Sequence, residues 1–276
     1  MTRRQVGRAQ WSPRKLLVLL AAAAGGLVLL VVGVVLAVVS HSEGGRGADS
    51  ADGWATVVPS RAPAEDTSGR SASEMQDSLA ARPMPSVPVA ASRPGPVSQR
   101  DPGAPILLPA PTRLGPAGVP TGFPHTPEGA LAQLAAIDQA AMQSGSMDGA
   151  RAVITEWAMP GGPTTTSWSG VAAMNMLLTG AGLSGGGSPE LAIVFTPLMG
   201  LIKGVIGSDF VIPCVDFELD VTLQQTARGG IADCQRMVWR IDRWLMGPGA
   251  EPAVPPSVWP GTDLAISVGY RDLRRE

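Results

Sequence analysis

Apolar and polar positions divide the chain into three regions of different character. Residues 16–39 form one uninterrupted apolar run, and residues 41–120 show no sustained periodicity. From residue 121 onward, apolar residues recur first at helical and then at alternating spacing. Helical spacing is typical of a helix with one buried face, and alternation is typical of a half-buried strand. The pattern therefore predicts a membrane segment, a stalk and one α+β domain.

The apolar run LLVLLAAAAGGLVLLVVGVVLAVV is long enough to cross a bilayer. Its 24 residues would make a helix of about 36 Å, and a hydrocarbon core of about 30 Å needs only about 20 residues. Five basic residues and no acidic residue precede it: Arg3, Arg4, Arg8, Arg14 and Lys15. The positive-inside rule then predicts a cytoplasmic basic tail (residues 1–15), a single transmembrane helix (16–40) and an extracytoplasmic remainder at the cell membrane.

A cleaved signal peptide is the alternative interpretation of this run. The apolar region of a signal peptide spans about 7–15 residues and ends in a small-residue cleavage site. Here the run is longer and ends VLAVVSHSEGG, which favours an uncleaved anchor, and no cysteine near its end would support a lipoprotein anchor. The small residues Ala22, Gly26, Gly33 and Ala37 form a stripe that would suit helix–helix contact and a homo-oligomer. The abundance of alanine and glycine in the chain explains the stripe equally well.

Residues 41–120 have the composition of a disordered stalk. They hold 13 of the 26 prolines, and Trp54 is their only aromatic residue. Such a segment cannot bury enough apolar surface to offset the entropy lost on ordering its backbone. We therefore expect a Pro/Gly/Ala-rich disordered stalk that carries the domain away from the membrane.

Residues 121–276 are predicted to form the extracytoplasmic α+β domain. A helix begins at Thr126-Pro127-Glu128, a cap followed by proline and an acid in the first turn. Three apolar stripes follow at helical spacing: Leu131, Leu134, Ile137 and Ala141; Ala150, Val153, Ile154 and Trp157; Trp168, Val171, Met174 and Leu178. Strands are expected over residues 191–206, 215–223, 237–241 and 243–246, and a last short helix from Pro260 through Tyr270 to Leu273. This order predicts helices packed on one face of a curved antiparallel sheet.

A turn centred on Arg228 would fix the register of two of these strands. Asp220 would then face Arg236, and Asp216 would face Arg240, giving two cross-strand ion pairs.

The same register conflicts with a disulfide between the two cysteines. Cys214 would face Asp242, about 27 Å along the strand from Cys234 at the rise of a strand, whereas a disulfide needs Cα atoms within about 7 Å. An extracytoplasmic pair of thiols is nevertheless expected to oxidise. Cys214 and Cys234 are thus a candidate disulfide, and the sequence leaves the choice open.

Several residues are candidates for chemistry, each with a simpler structural explanation. Asp216, Glu218 and Asp220 could bind a cation, but a solvated strand face paired with arginine is favoured. His125 has no evident nucleophile partner for a hydrolase. Asp138 could act as a general base inside a pocket, yet an exposed or hydrogen-bonded position at the edge of the helix is favoured.

The tryptophans of the domain also have two explanations. Trp157, Trp168, Trp239, Trp244 and Trp259 could line a ligand pocket. Core packing is favoured for most of them, with one or two covering a groove between helices and sheet.

Net charge and composition argue against two classes of function, nucleic-acid binding and metal binding. A net charge of −2 argues against a nucleic-acid partner, and two cysteines and two histidines are few for a metal site. We expect no catalytic residue, cofactor or metal.

Four stretches carry a resemblance: GFPHTPEGALAQLAAIDQAAM, DFVIPCVDFELDV, CQRMVWRIDRWLMGPG and WPGTDLAISVGYRDL. They are similar to uncharacterised membrane proteins of high-GC Gram-positive mobile elements. The order of elements resembles the cone-shaped nuclear-transport-factor-2-like fold of inner-membrane assembly proteins in type IV secretion and conjugation. The resemblance implies a non-enzymatic scaffold whose partners are the lipid bilayer and other proteins of a membrane complex. A small-ligand-binding or sensory module, or less readily an enzyme, is the alternative, because the cone fold hosts several functions.

Overall fold

The computed structural model describes residues 71–276. The predicted tail (residues 1–15), the predicted transmembrane helix (16–40) with its stripe of Ala22, Gly26, Gly33 and Ala37, and residues 41–70 of the predicted stalk lie outside the described residues. Within residues 71–276, no helix combines the length and the apolar character needed to cross a bilayer.

The described residues form an α+β structure. Its helices are α1 (Ala72–Ala81), α2 (Pro127–Gln143), α3 (Met147–Trp157), α4 (Ser169–Gly180) and α5 (Asp263–Ser267). Its strands are β1 (Ile106–Leu108), β2 (Arg113–Leu114), β3 (Pro120–Thr121), β4 (Ala192–Ile206), β5 (Phe210–Thr222), β6 (Thr226–Cys234), β7 (Met237–Arg240), β8 (Arg243–Met246) and β9 (Arg271–Arg275). Short 3-10 helices lie at Val89–Ser92 and Pro116–Gly118.

Seven of these strands form one curled, mostly antiparallel sheet. The strand order is β1-β9-β4-β5-β7-β8, and β5 pairs with β7 at its start and with β6 along the rest of its length. Only the short β1–β9 pair is parallel within this sheet. The long strand β4 changes register against β5 at two places, which bends the sheet into a half-barrel. Strands β2 and β3 form a separate small hairpin.

Helices α2, α3 and α4 cover the inner face of the sheet, and the three predicted helices are confirmed. Thr126 caps α2 by accepting a hydrogen bond from the Gly129 amide, and Pro127 occupies the first turn. Helix α2 is the central element, because residues 129–138 are all buried. It packs against α3, β4 and β5 in one large hydrophobic core.

The outer face of the sheet is also covered, which corrects the predicted stalk. Within residues 71–120, helix α1 and the 3-10 helix Val89–Ser92 pack over β4, β5 and β6. A second core there joins Ala80 to the outward side chains Met199, Phe210 and Ile212. Because those strands are apolar on both faces, the outer face needs a cover. The prolines of residues 83–111 lie in extended chain and a short 3-10 turn that provides it, so disorder is wrong for residues 71–120.

Two predicted features near the end of the chain are also wrong. Residues 227–230 form part of strand β6, because the chain turns earlier, with Thr222 opposite Thr226. Residues 260–273 contain only the five-residue helix α5 and then enter strand β9, which pairs with β1 and β4. In the four predicted strand regions the structure places β4, β5, β7 and β8.

The earlier turn changes the register of the β5–β6 pair. Asp220 lies opposite Arg228 and Asp216 lies opposite Ala232, so the predicted pairs with Arg236 and Arg240 do not form. Arg236 lies between β6 and β7, and Arg240 is the last residue of β7.

Candidate functional site

The two cysteines are direct partners on β5 and β6. Cys214 lies opposite Cys234, their Cα atoms are 4.1 Å apart, and a disulfide joins them. Both residues are buried in the second core, on the outer face of the sheet. The conflict with the predicted register disappears because the turn at residues 223–225 leaves the cysteines in opposed positions.

The predicted acidic row divides into one buried and two paired carboxylates. Glu218 and Asp220 both form ion pairs with Arg228, and Arg228 Nε lies 2.7 Å from Asp220 Oδ1. Asp216 is 0% exposed, and neither of its oxygens has a hydrogen-bond partner of ordinary geometry among the described residues. Burial raises the pKa of Asp216 well above its usual range, and the backbone of Val258 opposes that shift. The prediction that this row lies on a solvated strand face is therefore wrong for Asp216.

His125 takes part in an aromatic and ionic contact at one end of the sheet. Its ring stacks on Trp239 with 4.5 Å between centroids, and its Nε2 lies 2.9 Å from Asp209 Oδ1. Ser208 Oγ donates to the same oxygen of Asp209 over 2.7 Å. The aspartate stands between hydroxyl and imidazole, whereas a serine nucleophile needs the imidazole in the middle. This group therefore does not have the order of a catalytic triad.

A group of buried and half-buried polar side chains between α4, β6 and the chain after β8 is the strongest candidate site. Its acidic members are Asp138, Asp233 and Glu251, and Ser169 and Gln235 join them; we call these five residues the acidic cluster. Ser169 is the first residue of α4, where backbone amides lack partners within the helix. Its amide donates to Glu251 Oε1 over 2.9 Å, so a carboxylate 82 residues away caps this helix.

Asp233 accepts hydrogen bonds from two other members of the acidic cluster. Gln235 Nε2 donates to Asp233 Oδ2 over 3.0 Å, and Ser169 Oγ donates to Asp233 Oδ1 over 3.3 Å. Burial and the charge of Glu251 raise the pKa of Asp233 to about 7, although these hydrogen bonds oppose the shift. Burial likewise raises the pKa of Glu251. Asp233 therefore titrates close to neutral pH.

Asp138 joins the cluster from helix α2. It is 5% exposed, and its Oδ2 has no hydrogen-bond partner in the described part of the chain. Burial, followed by the charges of Asp233 and Glu251, raises the pKa of Asp138 well above its usual range. The favoured exposed or hydrogen-bonded position is therefore wrong, because Asp138 is the last residue of the buried run 129–138 of α2.

The acidic cluster can retain a proton, since burial raises the pKa of all three carboxyl groups and the charge of Glu251 adds to the shift at Asp138 and Asp233. Residues 71–276 contain no set of His, Cys, Asp and Glu side chains arranged to hold a metal ion. Two open grooves lie elsewhere: one of about 310 Å³ runs along residues 96–100 and 262–264, and one of about 350 Å³ lies between α1 and β7. Neither groove is lined by a member of the cluster.

The tryptophans mostly fill the core. Trp157, Trp168 and Trp244 are fully buried in the inner core. Trp239 is half-buried beside His125, and Trp259 lies on the outer face with the guanidinium of Arg228 5.1 Å from its ring. Among the tryptophans of residues 71–276, Trp259 is also buried, and Trp239 alone is partly exposed.

Sequence reasoning found Asp138 but missed its neighbours. Asp233 lies in β6, whose first half resembled a turn, Gln235 follows that strand, and Ser169 and Glu251 lie far apart along the chain. The spacing of Asp233 two residues after Ile231, which puts both on one face of a strand, is an available indication, and it requires that β6 be identified first.

Comparisons of the chain with protein-family models, with curated proteins and with solved structures give no match.

Proposed function

We propose that this chain is a membrane-tethered, extracytoplasmic scaffold domain that serves in assembly of a conjugation or secretion apparatus. The disulfide between Cys214 and Cys234 is the observation that carries this proposal. Disulfides persist in oxidising compartments outside the cytoplasm. The apolar run 16–39, with its basic flank, independently predicts that the domain lies outside.

The scaffold role draws support from how the interior is used. Large side chains from α2, α3, α4 and the sheet fill the inner core, and the second core is closed by α1 and the chain after β8. An assembly domain presents surface to partners and needs no internal cavity. The resemblance of the sequence to secretion assembly proteins is the reason for proposing this apparatus. Other membrane-complex proteins and a second copy of the chain are the partners we propose.

The location can be tested in cells that express the full chain. A membrane-impermeant maleimide should label Cys214 and Cys234 only after the cells are reduced and the domain is unfolded. A cysteine introduced in the basic tail (Gln5→Cys) should remain unlabelled until the membrane is opened. Labelling of the tail from outside, or free thiols before reduction, would contradict the proposal.

Asp138 supports a second candidate function, a small-ligand-binding module or an enzyme. A buried carboxyl with an unpartnered oxygen and a raised pKa is typical of ligand-binding and active sites. Asp138→Asn separates the two candidates, because the amide keeps the shape but cannot accept a proton. A scaffold should retain the phenotype of the intact gene, whereas a ligand-binding site or enzyme should lose it while the domain stays folded.

A further inference from the structure

Two loops meet at the end of the sheet where strands β4 and β5 are joined. The tip of the β7–β8 hairpin contributes Arg240, Ile241, Asp242 and Arg243, and the β2–β3 hairpin contributes Arg113 and Leu114; we call these six residues the tip surface. Arg113 forms an ion pair with Asp242 and so joins the two loops. Ile241 is 98% exposed and Leu114 is 72% exposed. Two large apolar side chains therefore stand in water on neighbouring loops.

Ile241 also has a backbone conformation that its side chain disfavours. Its φ angle is +58°, in the left-handed region where a β-branched residue is a rare outlier. Asparagine or glycine would suit this turn better and would expose no apolar group. Strain at an exposed position points to a use for the side chain that is present.

The charges of the tip surface are mainly positive. Arg113, Arg240 and Arg243 face one acid, Asp242, which pairs with Arg113. The guanidinium of Arg243 lies 5.1 Å from the ring of Trp157 and is held in place there. Two nearby acids already have basic partners, since Asp209 contacts His125 and Asp77 contacts Arg236.

The described chain begins at this same end of the domain. Gln76 of α1 lines one groove with Arg240 and the β4–β5 turn, whereas Ala80 lies farther along, where its carbonyl accepts from Lys203 Nζ. The N-terminus of α1 therefore points toward the tip surface. Only 31 residues separate Ser71 from Val39, the last residue of the apolar run. Even fully extended, they would keep the domain within about 110 Å of the bilayer.

We propose that the tip surface contacts the anionic phospholipid surface of the membrane that anchors the chain. Ile241 and Leu114 would enter the boundary between headgroups and acyl chains, and the arginines would contact lipid phosphates. The tether raises the local concentration of lipid, so a weak contact is sufficient. The inference rests on the proposed function only in needing the anchor; it does not depend on which partners the domain assembles.

The test uses the full chain in nanodiscs with a solvent-sensitive fluorophore on Ile241→Cys. In discs containing phosphatidylglycerol, the emission should shift to the blue, and lipids with a spin label near the headgroup should quench it. Discs of phosphatidylcholine alone should give weaker quenching. Val97→Cys is the matched control, because Val97 is 74% exposed and lies in the other groove; its probe should remain in water. The buried native disulfide leaves the wild-type chain unlabelled.

Charge substitution gives a second readout. Arg240→Gln should lower the equilibrium constant for contact with anionic lipid about fivefold, whereas Arg274→Gln on β9 should leave it unchanged. Equal quenching at positions 241 and 97, or equal quenching in both lipids, would overturn the proposal. Photo-crosslinking of position 241 to a protein in cells, without lipid contact, would overturn it in favour of a protein partner. Failure of the proposed location would appear instead in the maleimide labelling of cells.

Discussion

Cys214 and Cys234 face each other at the end of the β5–β6 pair opposite its turn, so their disulfide encloses the whole hairpin between them. The sequence separation of 20 residues is long enough for the cross-link to restrict the unfolded chain substantially.

Reduction of this disulfide should lower the free energy of unfolding by about 3 kcal/mol, because the reduced unfolded chain gains the entropy of an open loop. Denaturant unfolding with and without reductant measures the difference. The double variant Cys214→Ala/Cys234→Ala should be insensitive to reductant. Equal stability of the oxidised and reduced wild-type protein would contradict a role in holding the hairpin.

The acidic cluster should make stability fall as pH rises. Unfolded aspartate has a pKa of about 4, and folded Asp233 has a pKa of about 7, so the folded state retains a proton between these values. The free energy of unfolding should therefore decrease from about pH 4 to about pH 7, by about 1–3 kcal/mol. Urea unfolding across this range measures it.

Asp233→Asn removes the titrating group and should flatten this decrease, with greater stability than wild type at pH 8. Asp148→Asn is the control, since Asp148 is exposed in the first turn of α3 and should leave the pH profile unchanged. Identical profiles for wild type and Asp233→Asn would exclude Asp233 as the source.

Helix α1 is held to the sheet by a contact that can be removed singly. Asp77 Oδ1 lies 2.8 Å from Arg236 Nη1, and the arginine is almost fully buried beside Phe210. Asp77→Asn should leave the buried cation without its counter-charge and should cost about 1–2 kcal/mol, discounted because Asp77 is exposed. Hydrogen exchange of residues 72–81 should accelerate while that of α2 is unchanged. Unaltered exchange in α1 would show that the pair does not hold it.

Adjacent glycines on β6 provide a test of the outer layer. A Cβ atom on Gly230 would lie 1.8 Å from the carbonyl oxygen of Val258, whereas one on Gly229 would meet only Ser92 oxygen at 3.8 Å. Gly230→Ala should therefore destabilise the domain by about 2–4 kcal/mol, and Gly229→Ala should change stability by less than about 0.5 kcal/mol. Equal effects in thermal unfolding would mean that the Val258 segment does not lie on β6.

Relief of the strained turn should stabilise the domain. Ile241→Asn places a residue that tolerates a positive φ angle at the hairpin tip, and we expect a gain of about 1 kcal/mol in the free energy of unfolding. Ile241→Val keeps the β-branch and should give no gain. The same Asn variant should lose contact with anionic lipid, so the two measurements should move in opposite directions.

Local patterns predicted the inner half of the domain well. Stripes such as Leu131, Leu134 and Ile137 identify helices from neighbouring positions alone, and the alternation through Val215 and Phe217 identifies a strand. Spacing identified both elements even though residues 129–138 of α2 are all buried and β5 is covered on both faces, because their larger apolar side chains recur at regular positions.

The outer face of the sheet and the acidic cluster could not be predicted in this way, because they depend on contacts between segments that are distant in the sequence. Asp216 alternates as a solvated residue would, but α1 and the chain near Val258 cover that face of the sheet. Gly229 and Gly230 resemble a turn, although Gly230 is small because the Val258 carbonyl approaches it. The acidic cluster combines Ser169 with Glu251, and no local pattern relates residues so far apart.

The attachment of α1 has a mechanical consequence. Tension along the polypeptide from the predicted anchor would reach the domain at Ser71 and would load the contacts of α1 first. Asp77 with Arg236 and Lys203 Nζ with the Ala80 carbonyl would bear that load, and the disulfide-bonded hairpin beneath would be shielded from it. Helix α1 would then detach before the rest of the domain unfolds, and its detachment would expose the outer face of the sheet while the inner core stays intact.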